Sequence, residues 1–251
     1  MAIFKSGNPA LGEKRFQQSI IAGDTSVMTV RGTLNKFFLL FLLVMATASL
    51  TWSAYFQGKD VTAWIMVGAF GGLAVAITMA FKPMWANFLA PVYALLEGAF
   101  VGGISAFYSF AFAKTAPGIV MQAVGLTFGV VIAMYFLYRF QIIKATEKFK
   151  SIVITATVGI AIFYLIAMGL RFFSIDIPFL HEGSTLGIVF SLVIVGLAAM
   201  NLILDFDMIE KGSEMGAPKY MEWYGAFGLL VTIVWLYIEI LRLLSKINSR
   251  N

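Results

Sequence analysis

Seven apolar stretches, each close to the length a helix needs to cross hydrocarbon, set the terms for this chain. A bilayer core about 30 Å thick takes roughly 20 residues of α-helix. Stretches of that kind lie near 34–56, 61–80, 87–111, 118–139, 151–173, 186–209 and 223–245. Inside hydrocarbon the backbone polar groups have no water to turn to, so these stretches are predicted as helices. The connections are short, and residues 58–60 and 114–118 are bare turns. Short connections make consecutive helices antiparallel neighbours. The expected fold class is therefore an all-α membrane protein, a bundle of seven transmembrane helices over 34–251 behind a polar N-terminal tail at 1–33. The charge content agrees, at 12% of residues where a soluble domain carries about 25%.

The tail is broken by Gly7, Pro9, Gly12, Gly23 and Gly32, with room for a short amphipathic helix near residues 13–21. It is not a signal peptide, since the first apolar run is too long for one. Basic residues concentrate in the tail (Lys5, Lys14, Arg15, Arg31, Lys36) and in the loop 139–150 (Arg139, Lys144, Lys148, Lys150). Both lie on one side of a seven-span chain, and the excess of Lys and Arg marks that side as cytoplasmic. The C-terminal Arg242, Lys246 and Arg250 dissent from this pattern. The net charge of +5 suits loops against anionic lipid. No basic cluster is dense enough for nucleic acid.

Several chemistries lack their residues. There is no cysteine and one histidine, His181, so no thiolate or histidine metal site is expected and no fixed metal or cofactor. A retinal protein needs a lysine midway along its last helix, and here the only one is Lys246 at the far end. His-Glu-x-x-His, Gly-x-Ser-x-Gly and glycine-rich phosphate loops are all missing. The chain does not read as an enzyme.

What remains is acid in apolar helices. An ionisable group in hydrocarbon costs about 2.5–3.5 kcal/mol on insertion scales and normally faces a partner or a water-filled cavity. Asp205 closes an apolar run from 186 to 204, with Asn201 one turn back on the same face. It reads either as a cavity-lining acid or as the headgroup-level end of its helix. Asp207 falls on the opposite face, near Glu210 and Lys211, and reads as a solvated helix end. Glu239 stands between apolar residues, with Arg242 three positions on as its alternative neutraliser. Glu97 lies deep in the third segment, followed by Gly98, Gly102 and Gly103, whose Gly-x-x-x-Gly spacing admits a close helix neighbour. Glu222, before Gly225 and Gly228, opens the last segment, and Trp223 and Tyr224 read as interface anchors.

Two patterns among these residues, Leu204-Asp205-Phe206-Asp207-Met208-Ile209-Glu210-Lys211 and Leu236-Tyr237-Ile238-Glu239-Ile240, resemble the sixth- and seventh-helix signatures of the Bax inhibitor-1 (transmembrane Bax inhibitor motif) family. Its long bacterial branch is matched further by Ser6-Gly7-Asn8-Pro9-Ala10-Leu11, by Ala90-Pro91-Val92-Tyr93-Ala94-Leu95-Leu96-Glu97-Gly98 and by Gly216-Ala217-Pro218-Lys219-Tyr220-Met221-Glu222-Trp223-Tyr224. The resemblance covers nearly the whole chain. It implies a seven-helix bundle with the last helix central, in the bacterial inner membrane, and a pH-sensitive calcium leak gated by two acids on the last two helices. Asp205 carries over as the first. Glu239 takes the second position, where the family usually has aspartate.

Two carboxyls within hydrogen-bond reach cannot both ionise cheaply, so such a pair would share a proton at low pH and admit a cation once ionised. The expected gate and pH sensor is thus Asp205 with Glu239, lined in addition by Glu97, Asn201, Asp207, Glu222 and Arg242. Sixteen residues separate Trp223 from Glu239, about 24 Å of helix. The two acids meet only if residues 216–228 form a bent or interfacial start to the last helix, which Gly225 and Gly228 would supply. Expected partners are calcium or other cations and the lipid bilayer. A non-conducting regulator that docks a membrane protease through its tail is the alternative, and a proton-coupled transporter the third reading.

Overall fold

The computed structural model describes residues 27–173 and 183–249, apart from the side chains of Arg171 and Phe172. The amphipathic helix expected near 13–21, the tail motif at 6–11, His181 and Arg250 lie outside the described residues. Among those residues are seven helices long and apolar enough to span a membrane. They are α1 (Val30–Phe56), α2 (Thr62–Phe81), α3 (Ala86–Ala111), α4 (Ile119–Arg139), α5 (Glu147–Phe172), α6 (Thr185–Glu214) and α7 (Met221–Asn248).

Local chemistry sets the helix ends. Thr29 caps α1, its hydroxyl oxygen accepting from the Gly32 N–H at 2.9 Å. That starts α1 four residues before the apolar run at Leu34. Asp60 Oδ1 accepts from the Thr62 N–H at 2.9 Å as α2 begins. The Thr62 hydroxyl first, and then this N–H, favour the ionised form and hold the Asp60 carboxyl below its ordinary value. The turns before α2 and α4 use Gly58 (φ 77°) and Gly118 (φ 80°), backbone conformations that a side chain would strain. Pro83 begins a 3₁₀ turn, Pro83–Trp85, between α2 and α3.

Two expected boundaries change. α6 does not stop at 209 but runs to Glu214, so Asp205 sits well inside it. α7 is one continuous helix from Met221 through Gly225 and Gly228, with no break at the glycines. Gly225 serves close packing there, where a Cβ would stand 3.2 Å from Ile209 Cγ1 and 3.3 Å from Thr33 Cγ2. A glycine costs a membrane helix little when its backbone bonds stay internal.

Chain packing resolves into two compact units, with the divisions falling inside α3, α6 and α7. The first comprises Met1–Gly103 and Met208–Leu230. Its helices approach through glycine. A Cβ on Gly98 would lie 2.5 Å from Val44 O, and one on Gly102 2.6 Å from Ala48 Cα, so the Gly-x-x-x-Gly face of α3 receives the α1 backbone. On α2, Gly68 is pressed in the same way against Leu96 O (2.6 Å) and Phe100 N (2.9 Å) of α3.

The second unit comprises Ile104–Asp207 and Val231–Asn251. Ile194, Leu197, Ala198, Leu202 and Ile203 of α6 and Val234, Leu236, Ile240 and Leu241 of α7 are buried in it. α7 is the most buried of the seven helices, with 61% of its apolar window covered against 6% for α5.

Candidate functional site

Five buried or partly buried acids of the helices, Glu97, Asp205, Asp207, Glu222 and Glu239, each have their contacts within one unit. In the first unit, Glu222 is fully buried near the start of α7 and is held from several sides. Its Oε1 accepts from the Thr29 N–H and hydroxyl, both at 2.9 Å, and from Lys219 Nζ at 2.8 Å. Its Oε2 pairs with Lys36 Nζ, which also stands 5.4 Å from the Trp223 ring centre. Gly32 leaves the space that the carboxyl fills. An antiparallel bridge between Val27 and Pro218, and a 2.7 Å bond from the Met28 N–H to Ala217 O, run alongside. Such an acid is a structural clamp, joining the head of α1 to the head of α7.

Glu97, in the same unit, stands beside the Tyr93 side chain one turn earlier. Its Oε2 lies over Gly72 of α2, where a Cβ would come within 3.2 Å. Tyr93 in turn packs edge-on against Phe227 at 4.8 Å.

The second unit holds the other acids. Asn201 donates to Thr157 Oγ1 of α5 at 2.8 Å and to Leu197 O at 2.9 Å. One turn on, Asp205 stands beside the Thr232 side chain of α7. Its Oδ2 is buried and has no hydrogen-bond partner among the described residues. Asp207 is not a solvated helix end. It is buried, and its Oδ2 lies 2.7 Å from Lys150 Nζ. The helix runs on past it for seven residues, which keeps Asp207 at a packed level where Lys150 of α5 can reach it.

Glu239 is buried at 2% exposure. Arg242 Nη1 donates to both of its oxygens, at 2.9 and 3.1 Å, and the Tyr164 hydroxyl of α5 donates to Oε1 at 3.1 Å. Arg242 Nη1 also donates to the Tyr164 oxygen at 2.7 Å, closing a three-membered cluster. Nearby, buried Lys246 donates to Gly187 O at 3.1 Å and Ser191 Oγ at 2.9 Å, and Ser105 and Tyr237 share a 2.6 Å bond.

These contacts separate the two acids expected to share a proton. Asp205 is beside Thr232, and Glu239 lies seven residues further along an unbroken α7, about 10 Å away down the axis. The physical reason is the continuous helix: with α7 already helical from Met221, Asp205 stands at the Thr232 level, about two turns before Glu239. Glu239 takes its intrahelical arginine instead. Sequence reasoning missed Tyr164, Thr232, Lys150 and Lys36 as partners. Each lies on another helix from the acid it serves, and no spacing along the chain encodes such a contact.

Long apolar helices carrying acids that are paired, capped or left with one bare oxygen define a multi-pass helical membrane protein with a polar interior on its last two helices. A family model described as Bax inhibitor 1 like matches residues 8–249, and the chain belongs to that family. No curated protein and no solved structure matches it.

Proposed function

We propose that the protein is a pH-sensitive cation leak, with calcium among the ions it passes, and that Asp205 alone is its titrating gate. It would sit in a bacterial inner membrane with the N-terminal side cytoplasmic, as the excess of Lys and Arg on that side favours. The observation that carries this reading is the buried, unpartnered Oδ2 of Asp205, deep in α6 and one turn from Asn201.

The other acids in the described helices of the second unit have countercharges: Glu147 and Asp207 have Lys150, and Glu239 has Arg242. Asp205 has a hydroxyl, and among the described residues no salt bridge reaches it. A neutral carboxyl in that position needs nothing further. An ionised one needs a positive charge, and an entering cation with a taste for oxygen ligands supplies it. The sign follows: conduction rises with pH as Asp205 loses its proton. Glu239, paired with Arg242 and bonded by the Tyr164 hydroxyl, holds α5 to α7.

The test is calcium flux into dye-loaded liposomes from pH 6 to 8 for the parent and for Asp205→Asn. The parent's flux should climb with pH and the variant's should be flat. The same pH profile in both removes Asp205 from the gate.

A further inference from the structure

We infer that Asn201 is the selectivity residue of the Asp205 site: its amide oxygen and the Asp205 carboxylate together seat a hard divalent cation such as calcium. This builds on the proposed leak at Asp205 and adds a second ligand and an ion class.

The Asn201 amide is fixed in orientation. Both of its N–H donors are spent, Nδ2 donating to Thr157 Oγ1 of α5 at 2.8 Å and to Leu197 O at 2.9 Å. A backbone carbonyl only accepts, so the nitrogen and not the oxygen must face Leu197. Oδ1 is the polar atom that remains, and it accepts no hydrogen bond among the described residues. Leu197 lies one turn back along α6, so Oδ1 is on the far side of the amide, toward the turn that carries Asp205.

The second oxygen is the buried Oδ2 of Asp205, which likewise has no hydrogen-bond partner. Residues four apart on a helix hold their Cβ atoms about 5–6 Å apart. Calcium takes its oxygens at about 2.3–2.6 Å, so two oxygens on either side of one ion stand up to about 5 Å apart. Helical side chains lean toward the N-terminus, which carries the Asp205 carboxyl back over the turn of Asn201. The spacing along α6 therefore suits one ion held between the two. No ammonium competes for the place, since the nearby Lys150 is drawn to Asp207 and Glu147. A lone carboxylate takes any cation. A pinned carbonyl oxygen beside it favours the smaller, doubly charged ion, which gains more from each dipole. Two protein oxygens, of the roughly six to eight that calcium takes, make a weak seat of the kind an ion in transit needs.

The experiment reads calcium binding apart from conduction. Full-length protein in detergent at pH 8 is melted across a calcium titration, with potassium at matched ionic strength beside it, and the same variants enter the liposome flux assay. Calcium should raise the parent's melting temperature and potassium should not. Asn201→Leu should need at least about tenfold more calcium for the same rise, and Thr157→Val, which keeps the amide but unpins it, a smaller excess. Asp205→Asn should show no rise. A calcium titration in Asn201→Leu that matches the parent overturns the inference, as does a parent that calcium does not stabilise. Should Asn201→Leu not fold, a parent-like titration in Thr157→Val overturns it instead. Binding that depends on Asn201 in a parent that passes no calcium would keep the seat and sink the leak. Flux that climbs with pH as expected, with binding indifferent to Asn201, would keep the leak and sink the seat.

Discussion

Glu239 and Arg242 face each other one helical turn apart on α7, with both carboxylate oxygens within 3.1 Å of a single guanidinium nitrogen. This short-range pair settles how the last helix carries an acid through a bilayer. It also fixes which interactions here are worth breaking, since a buried charge is expensive once its partner is taken away.

Arg242→Gln leaves the Glu239 carboxylate buried beside Tyr164 alone, and should destabilise the protein by about 3–5 kcal/mol. Glu239→Gln/Arg242→Gln should recover most of that loss, because neither charge then remains. Reversible unfolding in bicelles, run as a double-mutant cycle, reads both numbers. If the double variant is as unstable as Arg242→Gln, the pair is not the reason the acid is tolerated.

At the other end of α7, the Glu222 clamp should divide unequally between its two lysines. Lys36 is 19% exposed and Lys219 is 42% exposed, and exposed pairs are worth at most about 1 kcal/mol. Lys219→Ala should therefore be nearly silent in a thermal melt. Lys36→Ala should cost more, and Glu222→Ala more again, because it also strands the Thr29 donors. Gly32→Ala is a separate probe of the same clamp. Its methyl would occupy the space of a carboxyl that three other side chains pin, so it should lower stability alongside Glu222→Ala rather than behave as a mild helix substitution.

Much of this architecture is legible in the sequence, and the boundary of legibility is physical. The seven spans could be read because hydrocarbon thickness dictates a length that no loop imitates. The pairing of Glu239 with Arg242 stood in the sequence as the alternative to a shared proton, because a spacing of three puts both on one helix face. The partners of Glu222 were hidden, since Thr29 and Lys36 are 193 and 186 residues away. Asp207 misled for a related reason: Glu210 and Lys211 beside it suggested water, while Lys150 on α5 was what it met. The continuous start of α7 was not legible because glycine reads as a breaker, its role in water. In this helix Gly225 admits Ile209 and Thr33 instead.

The glycines supply an internal contrast. Gly98→Ala and Gly102→Ala place a methyl against the α1 backbone at Val44 and Ala48, which cannot swing aside, and each should cost about 1–3 kcal/mol by overpacking. Gly125→Ala and Gly129→Ala on α4 meet nothing within 4 Å. With only helix propensity at stake, they should be neutral or stabilising by up to about 1 kcal/mol. Melting curves for the four variants check this, and a reversed order would mean that α1 does not pack on α3 through these residues.

The last prediction separates a single-acid gate from a shared-proton pair. If Asp205 and Glu239 held one proton between them, removing either would abolish the pH response equally, because the titration belongs to the pair. The structure gives the two acids different partners, Thr232 for Asp205 and the Arg242–Tyr164 cluster for Glu239. Glu239→Gln should then keep the parent's rise of calcium flux between pH 6 and 8, with any loss appearing as lower stability or a uniform change in conductance. Asp205→Asn should flatten the rise. The amide at 239 still accepts from Tyr164 and Arg242 through its oxygen, so the α5–α7 tie persists and the comparison isolates the charge. A flat profile in Glu239→Gln, matching Asp205→Asn, would show that the acids are coupled after all, and a gate made of one carboxyl would have to be given up.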